Sequence, residues 1–230
     1  MRPSLIQFGH RVHSFRDEAG LSVLELANAA KLSDQHIYSI ERGRYGPSFD
    51  SQERIADVLG VLRMDLFAWV GTHPRFDFVD RTRGLSPKRL ADLRSELLKY
   101  APSIAAWEAR VANWKKRRGE PAEKLLGARV RELREEIGIK PAALAQLIGQ
   151  TGPQAYSIES GRYPPGFGSM CMIAHALKVT ELDLFVWPGL GARYDLADLA
   201  RFTPIATLAA LRDELAQAQE AAPAPRADRR

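Results

Sequence analysis

The chain has 230 residues, 45% of them hydrophobic and 27% charged, which is the composition of an ordinary globular protein and excludes a disordered or fibrous one. No stretch approaches the roughly 20 apolar residues of a membrane span, and a single cysteine, Cys171, excludes an internal disulfide framework and a thiolate zinc site. The net charge of +5 favours a polyanionic partner, and the basic excess lies in residues 73–122. We therefore expect a cytoplasmic protein with no cofactor, no metal and no membrane partner.

Helix signals begin near the N-terminus. Apolar residues recur at helical spacing from Leu5 to Glu18, and the following Gly20 tolerates the left-handed conformation common after a helix end. Ser22 then stands as the cap of a second helix, with Glu25 three places on to complete a capping box. The sequence therefore predicts two short helices in the first 30 residues.

Three more short helices and a longer one follow. Ser33 caps a third helix that ends near Gly43, Ser48 caps a fourth, and Met64–Trp69 form a fifth. Pro87 suits the first turn of a further, amphipathic helix. Because no segment alternates as a strand, the predicted class is all-α.

A connecting helix carries an apolar stripe and ends in a basic run. The stripe consists of Ile104, Trp107, Val111 and Trp114, and the run consists of Lys115, Lys116, Arg117 and Arg118. The two tryptophans are either buried against a domain or form a dimer contact between copies. The basic run supplies candidate phosphate contacts, although such a run is more often a solvated face.

The chain then repeats itself. The segment Tyr38-Ser-Ile-Glu-Arg-Gly-Arg-Tyr45 returns as Tyr156-Ser-Ile-Glu-Ser-Gly-Arg-Tyr163, a shift of 118 positions that holds without a gap on both sides. A duplication is the simplest account, so we predict two tandem five-helix units, each followed by an extra amphipathic helix. The predicted parts are a first domain in residues 1–72, a basic helical connector in 73–122, a second domain in 123–190, a C-terminal helical extension in 191–218 and a disordered tail in 219–230.

Two short helices joined by a tight turn, the second presented outward, form the geometry that places a helix in the major groove. The segments Gly20-Leu-Ser-Val-Leu-Glu-Leu-Ala27 and Ser33-Asp-Gln-His-Ile-Tyr-Ser-Ile-Glu-Arg-Gly-Arg44, followed by Ile55-Ala56, resemble the lambda-repressor-like (Cro/C1, XRE) helix-turn-helix family. The resemblance covers roughly residues 5–70 and 123–188. It departs at Val23, where the family usually has a glutamine.

The resemblance implies that the third helix reads DNA from its outward face and N-terminal end. The candidate readers there are Asp34, Gln35, His36, Tyr38 and Ser39. Gln35 suits adenine, because an amide can donate and accept together. Arg42 and Arg44 suit phosphates or a base at the groove edge. Asp34 serves equally well as support for the helix N-terminus, and Glu41 is expected to anchor the turn after the helix.

The second copy departs further from the family pattern. Its candidate contacts are Gln154, Tyr156, Ser157 and Arg162. Gly152 and Pro153 stand where the first copy has two polar residues, and Ser160 stands in place of Arg42. The second domain is expected either to bind DNA with less base discrimination or to have taken a packing role.

These features predict a sequence-specific transcriptional regulator, repressor or activator, associated with the nucleoid and reading a bipartite site in double-stranded DNA. A homodimer through the tryptophans or through Leu208–Leu215 would present four readers. The alternative is a helix-turn-helix scaffold that binds transcription machinery or a partner protein such as a toxin, with secondary DNA binding. No arrangement of nucleophile, base or metal ligands predicts an enzyme, and Cys171 falls on an apolar helix pattern typical of a core residue.

Overall fold

The computed structural model describes residues 2–220, and no β-strand occurs in that range. The first unit contains α1 (Arg2–Glu18), α2 (Val23–Ala30), α3 (Asp34–Glu41), α4 (Phe49–Leu59) and a 3-10 helix (Arg63–Phe67). Three helices follow, α5 (Pro74–Arg81), α6 (Pro87–Leu98) and α7 (Ile104–Lys115). The second unit contains α8 (Ala122–Glu136), α9 (Pro141–Leu147), α10 (Gly152–Glu159), α11 (Phe167–Ala176) and a second 3-10 helix (Glu181–Phe185), and it is followed by α12 (Ala192–Leu199) and α13 (Ile205–Glu220). The predicted all-α class with two tandem units is confirmed.

Side-chain caps start the helices of the first unit where the sequence indicates. Ser22 and Glu25 form a complete capping box at the start of α2, with the Ser22 N–H donating to the Glu25 carboxylate over 2.7 Å. Ser33 accepts from the His36 N–H at the start of α3, and Ser48 accepts from the Ser51 N–H at the start of α4. These caps satisfy backbone donors that a helix cannot pair internally.

Two elements differ from the sequence prediction. The fifth segment is a short 3-10 helix rather than an α-helix, and the Asp65 carboxylate accepts from the Leu62 N–H over 2.9 Å at its start. Each unit is also followed by two helices, not one, because α5 and α12 precede the expected amphipathic helices. The apolar residues of α5 do not follow a helical stripe, since Phe76 and Phe78 are two places apart and both are buried.

The second helix that follows each unit is exchanged, because it packs against the first helix that follows the other unit. Helix α6, from the first half of the chain, packs against α12 of the second half, and α13 packs against α5. Because α5 is equivalent to α12 and α6 to α13 in the repeat, the two contacts are the same contact made twice. The units are therefore related by a pseudo-twofold axis, as two subunits of a dimer would be.

Ion pairs cross the axis reciprocally. The Arg75 guanidinium donates to Asp183, with one bond of 3.0 Å, and the Arg193 guanidinium donates to Asp65 over 2.9 and 2.6 Å. Each pair is the other shifted by 118 positions. Asp65 and Asp183 have almost no exposed side-chain surface, so both ion pairs are made away from water. The symmetry of the sequence repeat is thus preserved in the contacts between the units.

Four phenylalanines form the centre of the contact between the units. Phe67 stacks on Phe185 with ring centroids 4.5 Å apart. Phe49 stacks on Phe185 at 6.3 Å, and the equivalent pair, Phe167 and Phe67, stacks at 6.1 Å. The two units therefore share one continuous hydrophobic core across the axis.

Helix α7 packs on the second unit and buries both of its tryptophans. Trp107 and Trp114 are 3% and 4% exposed. The Trp107 indole N–H donates to Asp198 over 3.0 Å, and that of Trp114 donates to Glu132 over 3.0 Å. This is the first of the two alternatives for these residues. Both side chains are covered within the chain, so neither offers a free surface to another copy in this arrangement.

Two buried carboxylates lie in a cluster of arginines around the second 3-10 helix. Burial by itself would raise the pKa of Asp183, but the guanidinium of Arg75, helped by Arg201 and Arg129, holds that pKa well below its usual range. The same opposition acts on Asp198, whose pKa is lowered chiefly by Arg129. Both carboxylates are therefore charged at neutral pH. Asp198 fixes α12 against α8, and Asp183 fixes the second 3-10 helix against α5.

The C-terminal apolar stripe is also used within the chain. Leu208, Leu211 and Leu215 of α13 are buried, so they offer no free surface for a dimer. Helix α13 extends through Glu220, two residues into the segment predicted to be a disordered tail, and Gln219 bonds to Arg81. Residues 221–230 of that tail lie outside the described residues. None of the described helices is both long enough and apolar enough to cross a membrane.

Candidate nucleic-acid interface

Helix α3 is the predicted DNA-reading helix of the first unit, and we name it the first recognition helix. One of its faces packs against the core. Ile37 and Ile40 are fully buried. Helix α1 approaches the C-terminal end of α3 so closely that a Cβ at Gly9 would lie 2.7 Å from the Glu41 carbonyl oxygen. The opposite face of α3 is left in solvent, where a helix of this kind meets the major groove.

Glu41 fixes the first recognition helix to α1. The Arg16 Nε donates to the Glu41 carboxylate over 2.7 Å, and His13 Nδ1 lies 3.2 Å from the same carboxylate. The side-chain hydrogen bond to Glu41 raises the pKa of Arg16 above its usual value. Glu41 is thus a structural residue. It connects α3 to α1, whereas the sequence predicted that it anchors the turn after α3.

The structure brings five of the predicted contact residues together on one surface. They line a shallow hollow of about 260 Å³, and they are Gln35, Tyr38, Ser39, Arg42 and Arg44. The Tyr38 ring is 45% exposed, and the Arg42 guanidinium lies 5.8 Å from its centroid. Polar donors, two cations and one exposed aromatic side chain therefore share a single face, which we name the first recognition surface.

Asp34 and His36 have other partners. The Asp34 carboxylate accepts from the Gln35 N–H over 2.7 Å at the start of its own helix. The His36 ring packs edge-on against Tyr45 with centroids 5.1 Å apart, and its Nε2 atom is buried. The backbone and Tyr45 therefore engage these two side chains, which line the edge of the first recognition surface rather than its centre.

Helix α10, the second recognition helix, is built on the same scaffold. Arg134 Nε donates to Glu159 over 2.6 Å, as Arg16 does to Glu41, and that hydrogen bond raises the pKa of Arg134. A Cβ at Gly127 would lie 2.8 Å from the Glu159 carbonyl oxygen, as close as the equivalent contact of Gly9. The two recognition helices are therefore held in the same way.

The exposed residues of the second recognition helix differ. The Gln154 carboxamide oxygen accepts from the backbone N–H of Thr151 over 2.9 Å and from its hydroxyl over 3.0 Å, which completes a capping box. Tyr156 is 55% exposed, Ser157 is half-buried and Arg162 is exposed. Gln154 thus directs its acceptor to its own helix, and only its amide donors face outward.

Tyr45 and Tyr163, which the sequence interpretation did not select as contacts, lie just after the two recognition helices. They are 52% and 74% exposed. Their occurrence at the same place in both copies of Gly-Arg-Tyr is the signal that could have identified them. An exposed tyrosine beside a recognition helix can pack on the sugar-phosphate backbone, since it combines an apolar ring with a polar hydroxyl.

The basic run lies at the end of α7, on the flank of the second unit. Lys115, Lys116 and Arg118 are exposed, and the Arg117 guanidinium pairs with Glu120 over 3.0 Å. Arg117 also lines a cleft with the end of the second recognition helix. Three residues of the run are therefore exposed to solvent, and Arg117 reaches toward the second unit.

Cys171 lies on α11 and is part of the hydrophobic core. Its side chain is 9% exposed, and burial raises the pKa of the thiol to about 12. The thiolate, which is the nucleophilic form, is therefore negligible at neutral pH.

Comparison with known proteins identifies the family. Sequences described as a helix-turn-helix domain match residues 7–68 and 125–184, which together make up just over half of the chain. The chain belongs to this helix-turn-helix family. Both matched regions end within the 3-10 helices or directly after them, so each includes one recognition helix.

Two relatives support the resemblance to the lambda-repressor-like type. The chain is 30% identical over 114 residues to the HTH-type transcriptional regulator DdrOP3 of Deinococcus deserti, an alignment that covers 50% of this chain and 84% of that protein. It is 40% identical over 53 residues to the immunity repressor protein of Bacillus phage phi105, covering 23% of this chain and 37% of the relative. No solved structure matches the chain. The family predicted from the motif, and its presence in two copies, are confirmed.

Proposed function

We propose that the chain is a DNA-binding transcriptional regulator that binds an imperfect inverted repeat, with one unit on each half-site. Family membership and the two regulator relatives support the DNA-binding function. The bipartite site is supported by one observation above the others, the reciprocal pairing of Arg75 with Asp183 and of Arg193 with Asp65. One chain then does what a homodimer does in other helix-turn-helix proteins.

The pseudo-twofold axis favours an inverted over a direct repeat. The backbone of duplex DNA has twofold symmetry between base pairs, so a protein with the same symmetry presents equivalent helices to inverted half-sites. Half-sites about 34 Å apart would lie in successive major grooves on one face of the DNA. Because the exchanged helices and the shared phenylalanine core fix the two units, their spacing is set before DNA is bound.

A covalent pair also offsets the weak charge of each unit. Residues 1–72 carry a net charge of −1 and residues 123–190 a net charge of zero, so neither unit alone attracts DNA strongly. Fixing both units in one body makes the second binding step intramolecular, which raises its effective concentration to the millimolar range or above. Preorganisation therefore supplies affinity that net charge does not.

The two halves of the operator are expected to be read unequally. In the first recognition surface the Gln35 amide makes no hydrogen bond to residues 3–219, and Arg42 and Arg44 are exposed beside it. In the second unit Pro153 and Ser160 occupy the places of Gln35 and Arg42. We expect strong base preference in one half-site and weak base preference in the other.

The experiment is selection of bound sequences from randomised duplex DNA, combined with sedimentation of the complex. We expect an inverted repeat with one informative half and a stoichiometry of one chain per duplex. A direct repeat, or two chains on each site, would contradict the proposed arrangement. Absence of any salt-dependent DNA binding would contradict the function itself and favour a protein-binding scaffold.

A further inference from the structure

A basic cleft borders the C-terminal end of the second recognition helix. It encloses about 400 Å³ between the end of the connector, α8 and the end of α10. Its charged and polar lining residues are Arg117, Glu120, Lys124, Arg131, Glu159 and Ser160. Three cations from two separate elements thus face the turn that follows the second recognition helix.

We propose that Arg117, Lys124 and Arg131 bind a phosphate of the DNA backbone in the second half-site, and so replace the cation that the first unit carries at Arg42. The proposal rests on the proposed function, because it assigns a ligand to the flank of the same DNA-binding face. Ser160 occupies the position of Arg42 in the repeat, so the second recognition helix ends without its own cation.

The two units carry their cations at different positions of the repeat. A shift of 118 positions places Lys124 on Ile6 and Arg131 on His13. Arg117 comes from the connector, which occurs once in the described chain and follows only the first unit. The second unit therefore has a cation at each of two helix positions where the first unit has an apolar residue or a histidine.

Lys124 lies directly beside the turn after the second recognition helix. Gly161 in that turn has φ +67°, and a Cβ there would lie 2.7 Å from the Cα of Lys124. The Lys124 side chain is exposed, and it makes no ion pair with any residue from 3 to 219. Its ammonium is therefore available to a phosphate that approaches the end of the helix.

The two carboxylates of the cleft do not cancel the three cations. Glu159 is 2% exposed and is already bonded to Arg134 over 2.6 Å, while Arg131 lies farther from it, at 3.5 Å. Glu120 pairs with Arg117 over 3.0 Å, but both side chains are more than a third exposed, so solvent screens the pair. The cleft keeps a positive excess toward solvent, which suits a phosphodiester.

The test compares two triple variants that remove the same charge. The cleft variant removes the three cations of the cleft and consists of Arg117→Gln, Lys124→Gln and Arg131→Gln. The control variant removes three exposed cations from α5, α6 and the end of α6, and it consists of Arg81→Gln, Lys88→Gln and Lys99→Gln. The probe is the duplex selected by the wild-type chain, and the readout is the slope of log affinity against log salt concentration. Thermal melting of each variant shows that it is folded.

We expect the cleft variant to bind roughly tenfold to a hundredfold more weakly and to lose about 0.9 from the slope, since one phosphate contact contributes about 0.9. The control variant should keep the wild-type slope. A charge-conserving variant, Arg117→Lys with Lys124→Arg and Arg131→Lys, should keep the wild-type slope. Ethylation of phosphates in the second half-site should interfere with the wild type and not with the cleft variant.

Two failures can be told apart. If the wild-type chain binds no duplex at any salt concentration, the proposed function falls, and the phosphate site falls with it. If the wild type binds with a normal salt slope and the cleft and control variants behave alike, only the phosphate site is overturned. A change of slope without loss of the ethylation pattern in the second half-site would also overturn it, because the lost contacts would lie elsewhere.

Discussion

The two units keep the same buried contacts and differ on the surface that would face DNA. In each unit an arginine of the first helix donates its Nε to the carbonyl of the 3-10 aspartate over 3.0 Å, Arg11 to Asp65 and Arg129 to Asp183. After each unit an aspartate carboxylate also accepts from a glycine N–H over 2.6 Å, Asp77 from Gly71 and Asp195 from Gly189. Packing and buried polar contacts are thus nearly identical over a shift of 118 residues.

The exposed residues of the recognition helices have diverged instead. The first carries an unengaged amide and two arginines, whereas the second begins with Gly152 and Pro153 and ends with Ser160. A buried hydrogen bond left unmade has a high energetic cost, while an exposed side chain can change with little effect on stability. The comparison therefore separates the residues that maintain the paired fold from those that determine what each half binds.

Breaking the ion pairs between the units should have the largest effect. Arg193→Ala leaves Asp65 buried with the Leu62 N–H as its remaining partner, so we expect a loss of roughly 3–5 kcal/mol in the free energy of unfolding. Arg75→Ala should cost less, because Arg201 stays 3.6 Å from Asp183. Urea denaturation measures both. Equal losses, or a larger loss for Arg75→Ala, would mean that the remaining cation does not compensate.

Acid should weaken the ion pairs of Asp183 and Asp198. The pKa values of Asp183 and Asp198 are lowered in the folded chain, so their contribution to stability is complete above the unfolded value of about 3.9 and is lost as pH falls below it. We expect the urea midpoint to decrease steeply between about pH 4 and pH 2. Asp198→Asn should give a lower midpoint at pH 7 and a flatter dependence on pH. An unchanged slope in this variant would show that other carboxylates dominate.

The sequence could predict the parts of this fold that depend on local signals. Capping residues, glycine positions and helical spacing located four of the five segments of the first unit, and the 118-residue shift located the second. The exchange of α6 and α13 could not be predicted, because Leu93 or Leu208 buries the same apolar surface whether it packs on its own unit or on the other. The stacked Phe67 and Phe185 likewise look like residues of two separate cores.

Part of the candidate surface was also predictable. Gln35, Arg42 and Arg44 lie together as the motif implies. The packing of His36, another predicted reader, on Tyr45 could not be predicted, because it depends on the path of the following loop. Trp107 was ambiguous because its apolar stripe predicts burial without naming the surface that covers it.

Substitutions on the first recognition surface should change what is bound without changing stability. Gln35→Ala is expected to relax the preference at one base pair of the informative half-site by about 1–3 kcal/mol, since a bidentate amide contact is lost. Its melting temperature should stay that of the wild type, because the side chain is exposed. Competition between selected and single-mismatch duplexes measures the preference. Pro153→Ala, at the equivalent position, is the matched control and should leave the preference unchanged.

Trp107→Phe should be a stability variant and not an oligomerisation variant. The loss of the indole bond to Asp198 is expected to cost about 1–2 kcal/mol, because the bond is buried and its acceptor is charged. Sedimentation should give the same mass for the variant and the wild type. A dimeric wild type that becomes a monomer on this substitution would restore the alternative in which Trp107 joins two copies.

The smallest effect is expected at Gln154, and it decides whether the second recognition helix reads bases with that residue. If Gln154 serves as the cap partner of Thr151, Gln154→Ala should lower the free energy of unfolding by about 0.5–1 kcal/mol and leave the sequence preference of the second half-site unchanged. Thr151→Ala should have a similar cost, and the double variant should cost less than the two together, since both remove one capping box. If Gln154→Ala instead relaxes the preference at one base pair with no change in stability, its amide faces the groove in the complex. The second unit would then retain direct readout.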